Sequence, residues 1–443
     1  MTNYITRQVK VTKLQHGIKN LVFAIDNPIT EVINLFRSSM IKISGWVLYE
    51  EKPVSVIIKQ NTLEKYVHCD VVRNDVISLL KKDAEACCGF VTSLTYPNSF
   101  KVGFLINDEP VWVATIDILP APKILFGEKG HLFLDNDYNK SVEQYTGRTL
   151  IDSESLNIWY NYFLNLENHS QKNNYNYLFT LAPAKELVFP LYYPHRKGTI
   201  TPVEQFLAAF NKFNVLYPLN ELQDDGELTY WKLDTHWTDY GAGLVTNLIC
   251  NQIGREQKNP FPFSYVVQKL NGDLGSKLPT LTTQNILRAD FSESKKLKIF
   301  DNKIINRGWI QVYENPNASI NEKVIVFGDS FTVNMVPYFV QFFKRVVHVL
   351  SGARIDYDII EHESPDHVIC EITTRFLIQP PEINYTVSDD CKRKIDGMSL
   401  PEQGEYINSL RHDNIKQHCF YIEKTLNRLK KTKSSINTSM AKV

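Results

Sequence analysis

The chain has 443 residues, and its 49 Lys and Arg balance 49 Asp and Glu, so the formal net charge is zero. That balance gives no general electrostatic attraction to nucleic acid or to an anionic membrane. Apolar residues at 43% and charged residues at 22% describe an ordinary globular chain, and the length calls for two or three domains.

The N-terminal stretch MTNYITRQVKVTKLQHGIKN has no apolar central segment and no small-residue cleavage site, so it does not read as a secretory signal. No apolar run approaches the roughly 20 residues that cross a bilayer. A cytoplasmic protein is expected, one that reaches a membrane only through peripheral association with partners. Seven cysteines (Cys69, Cys87, Cys88, Cys250, Cys370, Cys391 and Cys419) form no CxxC. Free, largely buried thiols are expected, and no zinc site.

Residues 1–118 alternate short apolar runs with turn signals, the pattern of an all-β domain, with MIKISGWVLY, PVSVIIKQ, YVHCDVV, FKVGFLIND and PVWVATIDIL as strands. A β-sandwich fits, with Trp46 and Trp112 in its core. Ala121-Pro122-Lys123 reads as a linker. Over residues 121–382 strands alternate with helices, which predicts an α/β domain with a mostly parallel sheet. A helix is predicted near Ser153–Glu167 and a strand at Tyr175–Leu181. A further helix follows near Thr201–Phe213, then a short strand at Asn214–Tyr217. In YWKLDTHWTDYGAGLVTNLIC, Thr238 caps a helix beginning near Asp239. Asp234 and His236 precede that cap on a loop, where residues two apart can point the same way. Residues 255–320 are polar and weakly periodic, and read as a long loop region with short elements. Residues 383–443 are a C-terminal extension, with a basic amphipathic helix at Phe420–Lys431 expected to pack on its own domain rather than on a membrane.

The sharpest stretch is KVIVFGDSFT, Lys323–Thr332. Val324-Ile325-Val326-Phe327 is an unbroken apolar run, as in a parallel strand buried on both faces. It stops at Gly328, and Asp329-Ser330 opens a helix predicted over TVNMVPYFVQFFKRV, followed by strands at Arg345–Leu350 and His367–Ile372. A serine at such a turn lies at the carboxyl edge of the sheet, with its hydroxyl exposed and its own N–H turned to a reacting group. It can equally be a helix cap. A serine hydroxyl needs a base, and the base an orienting acid. Ser330, His236 and Asp234 supply nucleophile, base and orienter. The other readings of Asp234 and His236 are a capping loop or a metal site, and no second ligand cluster with metal spacing accompanies them.

VFGDSF with the upstream KLDTHWTDYGA resembles the SGNH-type O-acetyltransferases of the alginate acetylation family. FGEKGHLFL with EQYTGR is similar to that family's opening motif, APAKELVFP to its Pro-x-Lys strand end, NGDLGSKL to its GDL segment, and EITTRFL to its closing strand. The resemblance covers about residues 121–380 and implies a three-layer α/β/α domain. It also implies catalytic Ser330, His236 and Asp234. Arg375 is implied to hold an anionic substrate group or the oxyanion, with Asp329 also at the substrate. Lys185 is expected to form an ion pair. In the β domain, Ser44-Gly45-Trp46-Val47, Arg73-Asn74-Asp75-Val76 and Cys88-Gly89-Phe90 resemble small β-sandwich modules of bacterial polysaccharide enzymes. The function implied is O-acetylation of a surface polysaccharide, such as a capsule, or of its glycan precursor. No bound cofactor or metal is expected. An acetyl donor serves as co-substrate, acetyl-CoA for a cytoplasmic enzyme, although no CoA-binding motif is visible. An acetylesterase with the same residues and a non-catalytic glycan-binding or assembly protein are the alternatives.

Overall fold

Val324, Ile325, Val326 and Phe327 are fully buried, so the strand that carries them must have neighbours on both edges and cover on both faces. The computed structural model supplies both. It describes residues 4–29, 31–36, 40–80, 84–95, 99–120, 123–278, 281–412 and 419–427. Contacts divide the chain into two units, Met1–Ile124 with Asn271–Thr283, and Leu125–Leu270 with Gln284–Val443.

The second unit is mixed α/β and is built on a seven-stranded sheet. In chain order its strands are β1 (Asn176–Ala182), β2 (Val215–Leu216), β3 (Lys298–Asp301), β4 (Trp309–Glu314), β5 (Ile320–Gly328), β6 (Phe343–Leu350) and β7 (His367–Thr373). Their order across the sheet is β2-β1-β7-β5-β6-β4-β3. From β2 to β6 the pairings are parallel, with Val326 of β5 between His348 of β6 and Ile369 of β7. At the other edge β4 and β3 are antiparallel. The sheet expected to be mostly parallel thus has four parallel and two antiparallel pairings, while the described strand pairings of the first unit are antiparallel.

β3 and β4 fall in residues 255–320, where the sequence predicts mainly loop, as does a hairpin of Tyr265–Leu270 and Gln284–Ala289. These are short strands, and polar residues such as Lys298, Asp301, Gln311 and Glu314 interrupt the apolar period of β3 and β4.

The Asp152 carboxylate caps helix α1 (Ser153–Asn173) by accepting from Ser155 N–H, and Trp159, Phe163 and Leu166 bury the helix in the core. Thr238 caps helix α2 (Asp239–Gln252) as predicted, accepting from Gly241 N–H at 3.0 Å. Helix α3 (Thr332–Phe342) follows β5. It is shorter than predicted, because Phe343 already belongs to β6. A Cβ on Gly243 would stand 2.6 Å from the Tyr338 ring, so glycine is what lets α2 approach α3.

The C-terminal helices α4 (Val387–Asp396), α5 (Leu400–His412) and α6 (Cys419–Thr425) share the core of the second unit through Val387, Cys391, Leu410 and Tyr421. Lys424 of α6 is buried and pairs with Asp356 at 2.8 Å. The remainder of the basic helix predicted to Lys431 lies outside the described residues beyond Asn427.

The first unit has two antiparallel sheets. One runs Glu31–Phe36, Tyr4–Lys13, Glu109–Pro120, Ser99–Ile106, Val56–Gln60, Leu63–Val67, and the other Leu21–Asn27, Met40–Tyr49, Gly89–Thr95. Ile43, Val47 and Phe90 of the smaller sheet and Val56, Phe100 and Val102 of the larger belong to one buried cluster. The NGDLG phrase forms a short helix, Gly272–Gly275, within this unit. All seven cysteines are free. Among the described residues no helix is long and apolar enough to cross a membrane.

Candidate active site

β5 ends at Gly328, and the turn it makes into α3 is held from behind. Asp329 is buried. One carboxylate oxygen accepts from Phe331 N–H at 2.9 Å, and the other accepts from Thr373 N–H at 2.9 Å and Thr373 Oγ1 at 2.6 Å. Its own N–H donates to Glu371 Oε2 at 3.0 Å. Asp329, expected at the substrate, thus spends its carboxylate on the end of β7. Glu371 is fully buried in the middle of an apolar strand. Burial, and then the charge of Asp329, push its carboxyl well above the usual carboxylate range. A protonated Glu371 beside an ionised Asp329 suits this arrangement. Gly328 is needed there, since a Cβ would meet Thr332 Cγ2 at 2.2 Å and Glu371 Oε2 at 2.8 Å.

With its neighbours tied down, Ser330 is the exposed residue of the turn. His236 Nε2 lies 2.7 Å from Ser330 Oγ, and His236 Nδ1 lies 2.7 Å from Asp234 Oδ1. That oxygen also accepts from His236 N–H at 2.9 Å. With Asp234 ionised, the ring proton belongs on Nδ1, and Nε2 is left to accept from the serine hydroxyl. Asp234 is largely buried, while the imidazole is half-buried with the Phe331 ring 4.8 Å away. The structure therefore brings together three residues from two loops 94 positions apart. Among the described residues no protein acceptor takes the Ser330 N–H.

Two contacts fix the DTH loop. Trp237 is buried against Phe331, and its Nε1 donates to Phe331 O at 3.0 Å, locking the histidine loop to the serine turn. Lys185, 3% exposed, donates from Nζ to the carbonyls of Leu132 at 2.8 Å, Trp231 at 2.7 Å, Lys232 at 2.7 Å and Asp234 at 3.0 Å. The ammonium sits in a cage of carbonyls that includes the backbone of Asp234. A lysine just after a strand end, in APAK, was the only sequence signal for it.

Arg375 lies in the 3-10 turn Thr374–Phe376 after β7. Its charge opposes the upward shift of two buried carboxyls, Glu371 and Glu186, the latter raised by burial to about 7. Among the described residues its buried Nε has no hydrogen-bond partner. Two cavities of about 20 and 10 Å³ touch Arg375, one extending to Tyr145 and Thr201, the other to Thr235 and Phe331. Each has room for about one water.

No protein-family profile and no curated protein matches the chain. Among solved structures it is similar in part to PatB1 of Bacillus cereus, at 15% identity over 57% of this chain and 96% of that one, with a TM-score of 0.42. A DHHW family protein of Eubacterium siraeum is 16% identical over 59% of this chain and 93% of its own, with a TM-score of 0.40. The O-acetyltransferase domain of Pseudomonas putida AlgJ is 15% identical over 65% of this chain and 100% of its own, with a TM-score of 0.36. Similarity this slight leaves the activity to be read from the site itself.

Proposed function

We propose that the second unit is an SGNH-like three-layer α/β/α domain and a serine-dependent O-acyltransferase whose acceptor is a glycan hydroxyl. The observation that carries this reading is the hydrogen-bonded chain from exposed Ser330 Oγ through His236 to buried Asp234. His236 Nε2 takes the Ser330 proton as Oγ attacks the acyl carbon of the donor, and returns that proton to the leaving group. An ester on Ser330 results. The acceptor hydroxyl then gives its proton to His236 and attacks the ester carbon, and Ser330 leaves with the proton restored. The N–H of Ser330 is one donor for the oxyanion of each half-reaction. The order of motifs in the sequence supports an acetyl group and a polysaccharide acceptor, with the acetyl donor as co-substrate.

Exposure of Ser330 favours a second reading, acetylester hydrolysis, since water can take the acceptor's place. Turnover of p-nitrophenyl acetate with and without glycan acceptors separates the two. Transfer predicts a rate that rises with acceptor and an acetylated glycan product. A rate indifferent to every acceptor, with acetate as sole product, overturns the transferase.

A further inference from the structure

A second opening of the same unit lies against the histidine loop. Tyr230 and Trp237 bridge the two arms of that loop, and Trp231 N–H reaches His236 O at 3.4 Å. Tyr230, Trp231, Lys232 and Thr238 from those arms form one wall of a cavity of about 320 Å³. Glu227, Leu228, Tyr240, Tyr265 and residues 284–287 form the rest. The size falls in the range of small-molecule sites.

We propose that this cavity seats a neutral sugar ring of the acceptor, a reading that rests on acyl transfer by Ser330. Its wall is aromatic, and two of the hydroxyls are already committed, Tyr240 to Asp225 at 2.9 Å and Tyr265 to Tyr338 at 3.0 Å. What those rings offer is therefore their carbon surface, which suits the C–H face of a pyranose. Gln284 and Asn285 add side-chain amides that can both donate to and accept from hydroxyls. Among the described residues that line the cavity the one cation is Lys232, which pairs with Glu227 at 3.0 Å, and this favours a neutral polyol over a phosphorylated or carboxylated ligand. Trp231, 9% exposed with Arg288 stacked 4.9 Å from its ring, adds an indole ring to the wall. One short loop bears both Trp231, which lines the cavity, and His236, the proposed base.

Tyr240→Ala removes a ring, and Asn285→Trp narrows the cavity from an exposed position. In the full chain, with p-nitrophenyl acetate as donor and a panel of neutral methyl glycosides as acceptors, both variants should keep the acyl-enzyme burst. Both should raise the KM for the acceptor by on the order of tenfold. Calorimetry on Ser330→Ala protein should show glycoside binding that Asn285→Trp abolishes. Unchanged acceptor KM and unchanged binding in both variants overturn the proposal. Absence of any burst in the unaltered protein, with binding intact and sensitive to Asn285→Trp, sinks the acyl-transfer reading and leaves a sugar site. Absence of both removes the two together.

Discussion

Lys185→Met tests how the histidine loop is held. Methionine nearly matches the lysine stem in volume, so packing against Phe133, whose ring centre lies 5.2 Å from Nζ, is largely kept. What disappears is the ammonium that serves the carbonyls of Leu132, Trp231, Lys232 and Asp234. Three N–H donors are lost, and each buried carbonyl left without a donor costs about 1–3 kcal/mol. Relief of one buried charge and entry of water offset part of that, which leaves about 3 kcal/mol of destabilisation. The loop also loses its anchor at Asp234, and displacement by about 1 Å costs on the order of 10²-fold in rate. Urea unfolding should show a lower midpoint at unchanged slope, and kcat for p-nitrophenyl acetate should fall by about that factor in protein still folded at assay temperature. A variant of unaltered midpoint and unaltered kcat would refute the cage as the device that positions Asp234.

Three further outcomes follow from the same contacts. Glu371→Gln should be close to neutral at pH 7, since an amide can accept from the Asp329 N–H and donate to its carboxylate, whereas Glu371→Ala should cost about 2 kcal/mol in chemical denaturation. A carboxyl whose folded pKa is raised holds its proton longer in the native state, so its contribution to stability declines as pH rises above the ordinary carboxylate range. That decline should be visible in the parent protein and flattened in Glu371→Gln. His236→Ala should lower kcat nearly as far as Ser330→Ala, by on the order of 10³-fold or more, and the double variant should be little worse than either. Near-normal turnover by His236→Ala removes it from the mechanism. Gly243→Ala places a Cβ 2.6 Å from Tyr338 and should destabilise by about 1–3 kcal/mol in thermal melts, with no effect if α2 and α3 can separate freely.

Much of the second unit could be read from sequence because its signals are local. An unbroken Val-Ile-Val-Phe run has no polar face to expose, and Thr238 before Asp239 is a cap whatever surrounds it. What could not be read depends on neighbours distant in the chain. No periodicity says that His236 meets Ser330; only the order of several motifs did. Nothing in APAK indicates that Lys185 will find four backbone carbonyls. Asp329 reads as a polar residue beside a nucleophile, yet its carboxylate is directed at Thr373, a strand away. Glu371 was the missed signal, an acidic residue inside HVICEI, where burial on both faces obliges a special partner. The antiparallel strands at Lys298–Asp301 and Trp309–Glu314 escaped because they are short and carry polar residues that break the period.

The central claim is that Ser330 accepts an acyl group, and mass analysis of the intact protein quenched early in reaction with p-nitrophenyl acetate tests it most directly. The account predicts one added acetyl group per chain, mapped to the peptide containing Gly328-Asp329-Ser330 and absent from Ser330→Ala. Acetylation spread over surface lysines, or an adduct that persists in Ser330→Ala, would contradict it.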